Sequence, residues 1–194
     1  MGIEFELKYR ATPETLEAMR QNCPGEERVI SMETTYYDTP SGALSARFCT
    51  LRRRMENDIS VCTLKTPAAN FGRNEFEVEC DCIEGAIDAL CKLSGDKALP
   101  PILAEGIVPV CGAQFTRIAK TVVLADCVVE LALDRGILTG GGKEQPLCEA
   151  EVELKEGSRD SACAYALQLA ATFGLTLERA SKFRRAQKLA GSGR

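Results

Sequence analysis

The chain has 194 residues, 45% of them hydrophobic, with 24 Lys and Arg against 28 Asp and Glu and a formal net charge of −4. Such a chain can bury one sizeable core, and with no linker to divide it a single domain over 1–194 is expected. The acidic balance gives nonspecific nucleic-acid binding no help, no apolar run reaches the roughly 18 residues of a membrane span, and the absence of histidine removes Ser-His-Asp and Cys-His catalysis.

The first element reads Glu4-Phe5-Glu6-Leu7-Lys8-Tyr9. As a strand it places Glu4, Glu6 and Lys8 on one face and Phe5, Leu7 and Tyr9 on the other. Thr12-Pro13-Glu14 then supplies an N-cap, an N1 proline and a first-turn acid for a short helix carrying Leu16 and Met19. β-rich runs near 27–38, 43–55, 58–66 and 73–80 are separated by turn material at Pro40-Ser41-Gly42, Glu56-Asn57-Asp58 and 67–72, and predict antiparallel hairpins. Ile83, Ile87 and Leu90 mark a second helix, and 94–106 breaks the pattern with two prolines and two glycines. Strands resume near 113–125, 127–138 and 146–155. Ala162, Ala166, Leu169 and Phe173 line a helix that stops at Gly174, and a last short helix covers 181–190. Gly140-Gly141-Gly142-Lys143 joins two strands and is followed by Glu144, not Ser or Thr, so it is a hairpin connection and not a phosphate-binding loop.

About eight strands suit an α+β fold in which an antiparallel sheet closes into a barrel with flanking helices. The helices need the apolar face of the sheet, offered by Phe5, Leu7, Leu51, Phe76, Val78, Leu131, Leu133, Val152 and Leu154, which turns the charged faces inward. Patterning alone leaves a second arrangement open, an open twisted sheet with its charged face in water. The charged start of the chain and its lack of a leader predict a cytoplasmic protein, and the ten cysteines, scattered without a C-x-x-C, predict reduced thiols and no structural zinc.

Glu4-x-Glu6-x-Lys8 resembles the signature of the CYTH superfamily, the triphosphate tunnel metalloenzymes. The chain has further stations in the same order: Thr35 to Pro40, Leu51 to Arg54, Thr63 to Pro67, Arg73 to Glu79, Arg117, Glu130 to Gly136, Glu149 to Gly157 and Ser181 to Ala186. The resemblance implies an eight-stranded tunnel that binds a triphosphate group with a divalent metal. Arg52 and Arg54 are the first expected substrate-binding cations, and by family position Lys8, Lys65, Arg73 and Arg117 join them, with Lys182 entering from the last helix to cap one mouth. Strand parity puts Arg52 and Arg54 on one face and Arg53 on the other. Oxygen ligands without His or Cys suit Mg2+ or Mn2+; Glu4, Glu6, Glu151 and Glu153 are the expected metal ligands and, with Lys8, the expected catalytic set. Glu75, Glu77, Glu130, Asp134 and Glu149 extend the acidic lining.

The expected partner is a small-molecule triphosphate, with neither nucleic acid nor membrane, and a homodimer stays open. An inorganic triphosphatase, similar to bacterial ones, is the first expectation, since nothing is assigned to reading a base. A class IV-type adenylate cyclase, a thiamine triphosphatase and a noncatalytic polyphosphate binder are the alternatives.

Overall fold

The computed structural model describes residues 5–68 and 72–191. Among these residues nine strands form one sheet: β1 (Glu6–Arg10), β2 (Glu27–Asp38), β3 (Thr50–Glu56), β4 (Ile59–Pro67), β5 (Arg73–Glu79), β6 (Val108–Val123), β7 (Cys127–Gly140), β8 (Lys143–Gly157) and the two-residue β9 (Thr176–Leu177). Their order is β5-β4-β3-β2-β6-β7-β8-β1-β9, and every neighbouring pair is antiparallel. Six helices among the described residues accompany them: α1 (Pro13–Asn22), α2 (Ala43–Ala46), α3 (Ile83–Ser94), α4 (Leu99–Leu103), α5 (Arg159–Phe173) and α6 (Lys182–Leu189).

The antiparallel sheet with flanking helices is as expected, and it curls around a cavity lined from β1 through β8. Closure differs. Among the described residues no ladder joins the two edges, so the tunnel has a seam between β5 and β9. Both edges are poor pairing partners: β9 is two residues long, and β5 alternates Glu75, Glu77 and Glu79 along its length. Short and charged edges resist further pairing.

Local chemistry explains the elements. The Thr15 N–H donates to the Thr12 hydroxyl at the start of α1, the Ser161 N–H to the Ser158 hydroxyl at α5, and the Arg184 N–H to the Ser181 hydroxyl at α6. Gly95 and Gly174 end α3 and α5 in the left-handed conformation. The run expected as strand from 43 instead opens with α2. The buried Asp38 carboxylate accepts the N–H groups of Thr39, Leu44 and Ser45 at 2.8, 2.9 and 3.1 Å, which folds that turn and delays β3 to Thr50. The proline-rich break at 94–106 contains α4, because Pro100 and Pro101 sit in its first turn, where their missing N–H groups cost nothing. β6 begins at Val108 and β8 at Lys143, earlier than the sequence pattern suggests.

Three apolar clusters hold the sheet. Leu131, Leu133, Ala150 and Val152 meet Leu16 and Met19 of α1 and Ala162 and Ala166 of α5 on its outer face. Leu51, Leu64 and Phe76 meet Leu44, Ile83, Leu90 and Leu99 of α2, α3 and α4. The third lies inside the curl, where Ala186 of α6 packs on Met32, Tyr36, Phe115, Leu138 and Leu147. α6 therefore fills part of the tunnel. All ten cysteines are free, and among the described residues no helix is long and apolar enough to cross a membrane.

Candidate active site

The curl encloses a cavity of about 560 Å³. Among the described residues eleven cationic side chains line it against seven acidic ones, an excess of four positive charges in a chain whose net charge is −4. The balance of the two signs differs by strand. β3, β4 and β5 contribute Arg52, Arg54, Lys65 and Arg73 with Glu56, Glu75 and Glu77, whereas β1, β7 and β8 contribute Glu6, Glu130, Glu151 and Glu153 with Lys8 and Lys155.

On the cationic wall Arg52 lies 3.3 Å from Glu75 and 3.7 Å from Glu77, and Lys65 lies 3.1 Å from Glu75. Arg73 donates to the Phe48 carbonyl and the Thr50 hydroxyl at 2.8 and 3.1 Å. Arg54 is buried; its Nε donates to the Thr34 hydroxyl, and the nearest carboxylate, Glu56, is 3.7 Å away. Burial and the neighbouring Arg52 lower its pKa, the signature of a cation that a bound anion would relieve. Arg53, one residue along, does not line the cavity and donates to the Ser60 hydroxyl at 2.9 Å.

The acidic wall is ordered in rows by strand register. Glu6 stands directly opposite Glu153, and Glu153 opposite Glu130. Like charges in facing positions destabilise a sheet unless a cation joins them. Lys8 reaches Glu6 at 2.6 Å and Lys155 reaches Glu153 at 2.8 Å, which relieves part of the repulsion. This all-oxygen row fits a hard divalent ion. Glu4 lies outside the described residues.

A second acidic group is deeper. Oxygens of Asp134, Glu149 and Glu151 lie within 4.8 Å of one another, the geometry of a metal site. An ammonium group fills it. Lys182, the first residue of α6, contacts Asp134, Glu149 and Glu151 at 2.8, 2.6 and 2.8 Å. Arg117 grips Asp134 with two nitrogens at 2.8 and 2.7 Å and reaches Glu151 at 2.6 Å. Burial alone would lower the Lys182 pKa, but the three carboxylates raise it; burial would raise that of Glu151, but Lys182 and Arg117 drive it down. Both stay charged. For Glu149, burial wins and the pKa rises, Lys182 notwithstanding.

Glu151, expected to ligate metal, has one oxygen on Arg117 and the other on Lys182. Lys182 and Arg117, expected to hold substrate, are engaged by the buried carboxylates. The sequence reading did not single out Arg28, Lys155, Arg179 and Arg184, which also line the cavity. Only Lys155 carried a usable signal, since it shares strand parity with Glu149, Glu151 and Glu153. Of the two neighbouring tyrosines, Tyr36 lines the cavity and stacks on Phe183 with ring centres 5.1 Å apart, while Tyr37 packs on the α3 cluster.

The CYTH domain family matches residues 2–186. This chain belongs to the CYTH family. One relative is an inorganic triphosphatase of Haemophilus influenzae, 28% identical over 163 residues, covering 80% of this chain and 46% of that protein. The chain thus spans less than half the length of that curated relative. Among solved structures, a Hippeastrum protein bearing the name adenylyl cyclase, with a dominant triphosphatase activity, superposes with a TM-score of 0.65 at 16% identity over 96% of each chain. A Pyrococcus horikoshii protein gives 0.62 at 21% identity over 95% of this chain and 98% of its own. At such identities these likenesses establish the CYTH fold.

Proposed function

We propose that this CYTH protein is a divalent-metal-dependent triphosphatase whose first substrate is inorganic tripolyphosphate, cleaved to pyrophosphate and phosphate. The observation that carries the reading is the two-walled cavity, with a cationic wall of Arg52, Arg54, Lys65 and Arg73 and facing glutamates on β1, β7 and β8. Guanidinium groups grip phosphoryl oxygens two at a time and hold the transferred group in line. Mg2+ or Mn2+ bound by Glu6 and Glu153, beside Glu130, would neutralise phosphate charge and lower the pKa of a bound water. Lys8, paired with Glu6 at 2.6 Å, would meet the phosphate chain beside that row. The relative from Haemophilus influenzae supports the same chemistry.

A nucleotide cyclase needs an open surface for a base. The aromatic pair at the cavity, Tyr36 and Phe183, is packed against itself, and Tyr36 is only 3% exposed, which weighs against that alternative. The deciding experiment measures phosphate release and cAMP from tripolyphosphate, ATP and thiamine triphosphate with Mg2+ or Mn2+, with and without EDTA. Phosphate release from tripolyphosphate that EDTA abolishes is expected. Full turnover in EDTA, or cAMP as the main product from ATP, would overturn the reading.

A further inference from the structure

α6 divides the inward face of the tunnel into two chambers. On β1, Glu6 and Lys8 line the main cavity, while Arg10, two residues further along the same face, lines a second cavity of about 720 Å³. α6 repeats the division, giving Lys182, Phe183 and Arg184 to the first chamber and Arg185, Lys188 and Leu189 to the second. Glu149 stands between them, paired with Lys182 through one oxygen and with Arg185 through the other.

The second chamber is unbalanced. Arg10, Lys143, Arg185 and Lys188 face one carboxylate, Glu178. That carboxylate is already engaged, taking Arg10 Nε at 2.5 Å and the Ala180 N–H at 2.8 Å. Lys143 and Lys188 are exposed and pair with no described acid. Arg185 binds Glu149 through one terminal nitrogen, and its other lies 3.8 Å from Glu178, but its Nε is buried with no acceptor. A buried donor left without a partner penalises the fold, and native structures keep few of them. Two guanidinium groups held by carboxylates and two exposed ammonium groups around the cavity form the donor set that a compact, multiply charged oxyanion satisfies.

We propose that this chamber is a second anion site, distinct from the triphosphate tunnel, that takes small phosphoryl anions: inorganic phosphate, pyrophosphate, or the phosphate of a monoester. It stands on the geometry of the chamber and not on the hydrolase reading. The test is equilibrium dialysis of the full chain with labelled pyrophosphate and Mg2+, with phosphate and glycerol 3-phosphate as competitors. Two pyrophosphates per chain are expected. Lys143→Ala with Lys188→Ala, both on the surface and away from the main cavity, should remove one class of site and leave tripolyphosphate hydrolysis unchanged. Arg52→Ala should weaken the other class by tenfold or more and leave the chamber class intact. Competition by glycerol 3-phosphate for the chamber class supports the site and assigns it to monoesters; competition by phosphate alone supports it and assigns it to inorganic anions. A single class that Arg52→Ala abolishes, or two classes surviving the double lysine variant, would overturn it. Failure of the hydrolase reading shows separately, as no phosphate release by the unaltered protein.

Discussion

Arg52, Arg53 and Arg54 are consecutive, yet only the first and third line the cavity, because side chains alternate across a strand. Arg52→Ala should weaken tripolyphosphate binding by on the order of 1.5–3 kcal/mol, roughly ten- to a hundredfold, the worth of a hydrogen bond to a charged group. Arg53→Ala should leave the KM within twofold. Equal losses at both positions in a steady-state comparison would remove the parity argument. Lys182 invites a different measurement, since its side chain is 7% exposed and its ammonium joins three carboxylates. Lys182→Met leaves them mutually repelling and should cost about 3–5 kcal/mol, a drop in Tm near 10 °C, readable by calorimetry. Glu178 gives the pH dependence. Burial would raise its pKa, but Arg10, the Ala180 N–H and Arg185 hold it below the usual carboxylate range. A depressed carboxyl contributes stability that is complete above the unfolded value of about 4.3 and is lost as pH falls through the folded one. Tm should therefore fall below about pH 4.3, and Glu178→Gln should flatten that fall; parallel Tm curves for the two proteins would refute it.

At the scale of elements, α6 decides the shape of the site. It is eight residues long, capped by Ser181, and seated inside the curl by Ala186 rather than on the outside of the sheet. Close approach makes this seat. A Cβ on Gly140 would collide with the Ala186 carbonyl oxygen and crowd Ala190, so only glycine lets β7 meet the helix backbone. Gly140→Ala should displace α6 while the sheet persists, at a cost of about 1–3 kcal/mol. Hydrogen exchange is the readout: amides of 185–189 should lose protection while those of β6 and β7 keep theirs, and unchanged protection in the helix would rule out the contact. The glycine-rich turn after Gly140 was legible as a hairpin. Its role as the floor under α6 was not, because that needs a helix 40 residues away.

For the whole molecule, the excess of cations on one wall and of carboxylates on the other makes the folded state a store of like-charge repulsion that ligands relieve. A ligand that binds only the native state adds RT ln(1 + [L]/Kd), about 2.7 kcal/mol at a hundredfold excess over Kd, or roughly 5–10 °C in Tm for a chain of this size. Tripolyphosphate with Ca2+ should produce such a shift, and AMP, which lacks the phosphate chain, should barely move it. An equal shift with AMP would mean that the cavity reads a nucleoside.

The sequence by itself determined what alternation and caps can specify: the first eight of the nine strands, which of their faces is charged, that the sheet is antiparallel, and that Arg52 and Arg54 part company with Arg53. These are period-two and nearest-neighbour properties, readable without knowing what a strand packs against. It did not show that Asp38 folds α2 out of an apparent strand, because a carboxylate accepting three N–H groups looks like any acid at a turn. Nor could it separate the carboxylates facing the main cavity from those closed around Lys182. Glu149, Glu151 and Glu153 share one parity, and only the depth at which α6 enters gives the first two to an ammonium group and leaves the third to Lys155 and the open row. Depth along a curled sheet is a tertiary property, set by the packing of α6 on Leu138 and Leu147 and its backbone contact with Gly140.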